Sequence, residues 1–389
     1  MSQARNYFEL RTARGLSYVR YESVERLSGV ESAVFDCDGV LIDSRTSYDE
    51  AIRYTVAELV RALTGLEFSR DSISLETIYT IRGVGGFNND WDTVHLLTTW
   101  LAIHAPRESL ERLAKLHRSA DESSISPSEL MKKLGENTNH TEMTKDQIRQ
   151  LLRSLEIKVQ QYERTGMGYR EIEEEVVYPE LNTGDAESII RAINWALGYP
   201  GKYGEGLLVT FFDEAFFGSR NIRNVRRVGP YFSLDGSLEG EKLLVDEETM
   251  RELSSVFRKM GLATGRGSWE TSKTMGALLN YFEPSARVFI ADLVNDDIAG
   301  KERYEKPSPY ALIEAARGMV GDVMYVGDSA ADLILWQNAK KVEDRYVFAG
   351  VYGGVGDIDR IDQFMEGGAD LIIPSVSMLP RVMRIIREG

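Results

Sequence analysis

Four short apolar runs in the last third of the chain, 286–292, 322–328, 345–354 and 369–374, each end in Asp, Gly or Pro and alternate with helix-like stretches. That rhythm constrains the fold more than any other feature. Short strands apolar on both faces and separated by helices form a parallel sheet covered on both sides. Two further runs of the same kind, 31–36 and 261–266, lie more than 200 residues apart. The expected architecture is α/β: a Rossmann-like parallel-sheet core interrupted by one large, mainly helical insertion. The core is expected at 1–44 and 258–389, with the first thirty residues as a hairpin-style decoration, and the insert at 45–257.

Apolar periodicity in the insert predicts helices over 47–65, 92–104, 109–120, 145–166 and 185–198. The polar stretch 121–143, with weak periodicity, reads as a mobile linker. The aromatic-rich run 211–221 reads as core packing. His95, His104, His117 and His140 show no metal-ligand spacing, which assigns them no chemistry.

In a parallel α/β sheet, ligands bind beyond the carboxyl ends of the strands. The unusual residues of this sequence fall there. Asp36 ends one predicted strand, Thr264 another and Asp328 a third, with Asp332 one helical turn further on. Lys306 precedes a proline at a helix start. Side chains alternate in extended backbone, so Asp36 and Asp38 can share a side while Cys37 takes the other. Asp36, Asp38, Asp328 and Asp332 together would repel, and some would protonate, without a cation. Mg²⁺, which takes a few carboxylates, waters and phosphate oxygens, resolves the repulsion. Lys306 adds positive charge, Thr264 a hydroxyl, and Gly39 an amide left open to an anion. The set suits a phosphoryl group held by metal, lysine and hydrogen-bond donors, with a carboxylate placed to attack it.

Charge narrows the partners. The chain carries 46 Lys and Arg against 61 Asp and Glu, a formal net charge of -15. Without a basic surplus, nucleic acid and anionic membrane lack their usual attraction, and neither is expected as a partner. The basic stretch 220–227 reads as a solvated face. One cysteine, no apolar leader at the start and no run of roughly 18 apolar residues lead us to expect a cytoplasmic protein.

Four motifs occur in order: "DCDGVLIDS" from Asp36, "ATGR" from Ala263, "EKPSP" from Glu305 and "VGDSAAD" from Val326. Together they resemble the haloacid-dehalogenase-like superfamily over roughly residues 31–50 and 255–380. The resemblance implies that Asp36 is the nucleophile, forming an aspartyl-phosphate, and that Asp38 is the general acid and base. It implies Thr264 and Lys306 as catalytic phosphoryl-group ligands. It further implies an Mg²⁺ held by Asp36, the backbone carbonyl of Asp38 and Asp328, with Asp332 acting through water. The motif neighbours Gly39, Gly265, Arg266 and Ser329 complete the expected substrate pocket. Superfamily members that cleave carbon–halogen or carbon–phosphorus bonds generally lack an acid two residues after the nucleophile, so Asp38 favours a phosphatase.

The insert then resembles a helical cap that closes over the site and reads a small phosphorylated metabolite. Its segment 82–94, "RGVGGFNNDWDTV", resembles specificity loops of capped phosphatases. Asn88, Asn89, Asp90 and Trp91 would present polar groups and a stacking face to the substrate; alternatively the stretch is a glycine turn, a capped helix and a core tryptophan. The extra helices leave two uses open, a homo-oligomer contact or a narrowed entrance. The expected activity is a Mg²⁺-dependent phosphomonoesterase. The alternatives are a phosphomutase of the β-phosphoglucomutase type and a non-catalytic phosphate-binding or regulatory protein.

Overall fold

The computed structural model describes residues 6–12, 15–87, 89–120, 125–136, 138–163, 165–181, 183–296, 301–353 and 357–389. The chain is α/β and divides into two compact units, one of residues 1–44 and 241–389 and one of residues 45–240.

The first unit is built on an eight-stranded sheet. In chain order its strands are β1 (Tyr7–Thr12), β2 (Gly15–Arg20), β3 (Ser32–Phe35), β4 (Lys259–Thr264), β5 (Arg287–Phe289), β6 (Val323–Gly327), β7 (Tyr346–Val351) and β8 (Leu371–Ile373). Their order across the sheet is β1-β2-β8-β7-β6-β3-β4-β5. The six strands from β8 to β5 run parallel, while β1 and β2 form an antiparallel hairpin at the β8 edge.

Strand alternation sorts the apolar residues into two cores. Ala33, Phe35, Leu262, Met324 and Val326 face the helices Glu247–Val256 and Leu379–Glu388. Val34, Ala263, Val323 and Tyr325 face the helices Tyr310–Ala315 and Ala330–Val342. Phe35 is fully buried edge-on to Phe257 and Phe282. Truncating an aromatic in such a place costs roughly 3–5 kcal/mol. This packing fixes the strand ends on which the candidate site stands.

The core resumes earlier than the sequence suggested, at Glu241 rather than at residue 258. Helix Glu247–Val256 buries Met250, Leu253 and Val256 in the core of the first unit, so its apolar stripe assigns it there. A short antiparallel strand pair, Ile42–Asp43 with Lys242–Leu243, joins the two chain passages.

In the second unit, helix Asp90–Ile103 is buried on nearly every side and packs against Tyr48–Thr64. Helix Leu207–Phe217 is buried along its length, including Asp213 and Glu214. Asp213 pairs with Arg226 at 2.6 Å, and Glu214 accepts bonds from the Tyr203 and Ser219 hydroxyls and the Tyr231 amide. The basic stretch therefore sends one of its arginines inward.

The expected linker needs correction. Helix Pro127–Gly135 lies within 121–143, opened by a capping box between Ser126 and Glu129, and Thr141–Glu142 pairs with Leu66–Glu67. Leu130 and Leu134 are buried, enough to anchor a short capped helix whose surface is polar. Residues 121–124 and 137 lie outside the described residues. Among the described residues no helix is long and apolar enough to cross a membrane.

Candidate active site

β3 runs into Asp36, whose amide still donates to Val326 in β6 at 2.9 Å. This backbone bond fixes the Asp36 carboxylate at the carboxyl end of a central strand, almost fully buried. Its Oδ2 stands 2.8 Å from Lys306 Nζ, and the same Nζ stands 2.6 Å from Asp332 Oδ1. One lysine thus bridges two buried carboxylates.

Asp332 belongs to the first turn of helix Ala330–Val342. Its Oδ2 accepts the amides of Asp328 and Ser329 at 3.2 and 3.0 Å and the Ser329 hydroxyl at 2.6 Å. Its Oδ1 also accepts the Tyr325 hydroxyl at 2.7 Å. Burial opposes its charge, but Lys306 and the Ser329 and Tyr325 hydrogen bonds prevail and hold its carboxyl below the usual range. Lys306 is partly buried, which opposes its charge, yet Asp332 and Asp36 push its ammonium well up, so it remains a cation.

Asp36 and Asp328 are compensated less. Burial raises Asp36 well above the carboxylate range, with Asp332 and Asp38 adding to the rise against Lys306. Burial, then Asp332, pushes Asp328 up to about 7, although Arg360 Nη1 lies 3.2 Å from its Oδ2. One oxygen from each of Asp36, Asp328 and Asp332 lies within 4.8 Å of the others. An oxygen-only donor set with surplus negative charge fits a hard divalent cation.

Asp38 lies outside that triad, with its side chain about one-third exposed. Its Oδ1 accepts from Arg266 Nη1 at 2.8 Å. Arg266 is buried and sets its fork on Glu241 at 2.9 and 2.8 Å, and Glu241 also accepts the Thr274 hydroxyl at 2.6 Å.

Several expected roles change. Arg266, expected at the substrate, has its guanidinium occupied by Glu241 and Asp38, as a buried cation requires. The Ser329 hydroxyl is bound into the cap of its own helix. The Gly39 amide donates to Ile42 O at 2.9 Å and is not open to an anion. Gly39 matters sterically instead: it sits at φ 72°, and a Cβ there would lie 2.0 Å from Asp328 Oδ2. Thr264 is buried, its hydroxyl accepting the Arg266 amide at 3.2 Å, and Gly265 beside it borders open space. The Asp38 carboxylate, expected to converge with those of Asp36, Asp328 and Asp332, pairs with Arg266 instead, while the metal ligand expected from this residue was its backbone carbonyl. Cys37 packs in the core, and burial pushes its thiol far up, which leaves it inert.

The insert loop resolves as the capped helix. Asn89 accepts the Asp92 amide at 2.8 Å as N-cap of Asp90–Ile103. Asp90 pairs with Arg82, and the Trp91 ring lies under the Arg226 guanidinium, 6.0 Å from its centroid. Asn88 lies outside the described residues.

Glu241, Tyr325 and Arg360 escaped the sequence reading. Arg266 next to a strand-end Thr-Gly called for a carboxylate partner, and a tyrosine inside the run "VMYVGD" called for an acceptor. Either signal, followed, leads to part of this network.

No family model and no curated relative matches the chain. Among solved structures it is similar to one described as an X-ray structure of target ZR25 of the Northeast Structural Genomics Consortium, at 20% identity and a TM-score of 0.64. The alignment covers 92% of this chain and 100% of that one, and at this identity it supports the fold alone.

Proposed function

We propose that this chain is a Mg²⁺-dependent phosphomonoesterase of the haloacid-dehalogenase-like type, acting on a small phosphorylated metabolite in the cytoplasm. The observation that carries the reading is the bridge from Lys306 to Asp36 and Asp332 beside the under-compensated Asp328. A fold needs no such excess of buried carboxylates, whereas phosphoryl transfer does.

Asp36 and Asp328 would hold the metal, while Asp332, already bonded on both oxygens, anchors Lys306. A bound Mg²⁺ would neutralise the carboxylates and the phosphoryl oxygens. Lys306 holds Asp36 in position and offers its charge to the phosphoryl group. An Asp36 oxygen attacks phosphorus, and the bond to the ester oxygen breaks. Asp38 gives that oxygen a proton, so an alcohol departs and Asp36 carries the phosphoryl group. Asp38, now a carboxylate, takes a proton from water, whose oxygen attacks phosphorus and releases phosphate. Because Glu241 takes the fork of Arg266, Asp38 receives one N–H, which orients it and leaves its other oxygen for the proton.

The test is hydrolysis of p-nitrophenyl phosphate. Asp36→Asn should lower it by on the order of 10³ or more, and chelation by EDTA should abolish it until Mg²⁺ is restored. Hydrolysis that survives both would refute the reading. A panel of sugar phosphates, nucleotides and phosphoglycolate would then identify the substrate.

A further inference from the structure

The second unit contains a cavity of about 240 Å³ walled by His95, Tyr169, Glu173, Tyr178, Asn194 and Tyr199. None of the residues that line it is one assigned above to phosphoryl transfer. His95 and Glu173 are each 1% exposed, a depth at which polar groups are normally fully bonded. Here they are not. His95 Nδ1 stands 2.8 Å from Glu173 Oε1, an ion-pair distance without hydrogen-bond alignment. Among the described residues, His95 Nδ1 and Nε2, Glu173 Oε1 and Asn194 Oδ1 have no aligned hydrogen-bond partner.

These atoms share a polarity. With Glu173 beside Nδ1, the ring proton belongs on Nδ1 and Nε2 is a lone pair. Nδ1–H then faces Glu173, and the other three, His95 Nε2, Asn194 Oδ1 and Glu173 Oε1 through its second lone pair, are acceptors that call for a ligand that donates. The walls select its charge. The rings of His95, Tyr169 and Tyr199 lie 5.1 to 5.5 Å apart, centroid to centroid, and ring faces attract cations. The acids of the lining are Glu173 and Glu174. Glu173 Oε2 takes only the Tyr178 hydroxyl at 3.2 Å, and Glu174 is exposed on the wall; Asp92, which does not line the cavity, takes the hydroxyl of the wall residue Tyr199 at 2.5 Å. Against them stand His95 and the exposed Arg170, whose Nε donates to the Tyr169 hydroxyl at 3.0 Å. Glu173 and Glu174 sit on a single turn of π-helix, Glu173–Val177, a widened turn often found at functional sites.

We propose that this cavity binds the ammonium group of a small primary amine. An ammonium has three N–H donors, matching the three unmatched acceptors, and its charge suits Glu173 and the rings. The volume limits the ligand to a few heavy atoms beyond the nitrogen. A quaternary cation satisfies the rings and leaves the acceptors orphaned.

Calorimetric titration of the full chain with ethanolamine, tetramethylammonium and acetate, all as their salts at neutral pH, tests the proposal. Ethanolamine should bind saturably, about tenfold or more tighter than tetramethylammonium, and acetate should not bind. Glu173→Gln should weaken ethanolamine at least about tenfold. Because Glu173 is buried, Tyr169→Leu at the half-buried wall is an independent variant and should weaken it several-fold. Asp36→Asn should bind ethanolamine as the natural chain does, which separates this proposal from the phosphatase reading. Acetate binding, equal affinity for tetramethylammonium, or no saturable binding of ethanolamine at millimolar concentration would each overturn it.

Discussion

Two helices of this chain begin alike and serve different ends. Helix Asp90–Ile103 opens with Asn89 capping the Asp92 amide, and helix Ala330–Val342 opens with Ser329 capping the Asp332 amide. Both starts are rich in acids. In the insert every described acid of that start has found an internal partner: Asp90 has Arg82, and Asp92 has Tyr199. In the core, Asp332 is satisfied by Lys306, Tyr325 and Ser329, while Asp328 is left with one arginine and a carboxyl raised to about 7. Residue type at a helix start therefore does not mark a site. Uncompensated buried charge does, and it can be read only after the partners are counted.

The sharpest way to break this comparison is Lys306→Met. It leaves Asp36 and Asp332 facing each other in a buried place without their shared cation. Removing one member of a buried pair costs roughly 3–5 kcal/mol, and hydrolysis of p-nitrophenyl phosphate should fall on the order of 10³-fold. Denaturant unfolding and steady-state kinetics check the two parts. A stable and active Lys306→Met would make the bridge incidental.

Next in size is Arg266→Met. Glu241 would then be a buried carboxylate with only the Thr274 hydroxyl among the partners named above, and Asp38 would lose its holder. We expect a stability loss of about 3 kcal/mol and a kcat loss larger than any change in KM, because Asp38 works on the leaving oxygen. A change confined to KM would return Arg266 to the substrate.

Asp328 gives a smaller effect with a defined sign. Its carboxyl is raised in the folded state, so it favours folding while protonated, and that contribution is lost as pH rises from the ordinary carboxylate range through about 7. Above that pH the ionised group invites a cation. Mg²⁺ affinity should therefore rise as pH passes from 6 to 8, by about tenfold at most per unit of pH for one displaced proton, and Asp328→Asn should flatten the trend. A pH-independent affinity in the natural chain would detach Asp328 from the metal.

The sheet was legible in the sequence because its strands are largely apolar and five of the six expected runs end at Asp, Gly or Pro; all six expected parallel strands are present. The carboxylates at the strand ends were legible for the same reason: an acid is conspicuous where an apolar run stops. What escaped were the partners that decide each acid's role. Glu241 lies in a polar stretch at the junction between units, and nothing local tells it from a solvated glutamate. His95 looked idle because its partner, Glu173, is 78 residues away and brought to it only by folding. The junction was misplaced because helix Glu247–Val256 has the same amphipathic pattern as the helices of the insert, and pattern does not say which core receives the apolar stripe.

The smallest expected effect tests the insert side of the comparison. If Asn89 is only a cap, Asn89→Ala removes its bond from the Asp92 amide and a longer one, 3.3 Å, from the Tyr199 hydroxyl, which still has Asp92, and costs about 1 kcal/mol. A thermal melt should show it as a drop of a few degrees. Asn89→Asp, which also caps well, should restore most of the loss. The kcat/KM for p-nitrophenyl phosphate and the ranking of substrates in a phosphate-release panel should both stay as they are in the natural chain. A changed ranking at unchanged stability would mean that Asn89 reads substrate after all. The two helix starts would then differ in the ligand each serves and not in whether they serve one.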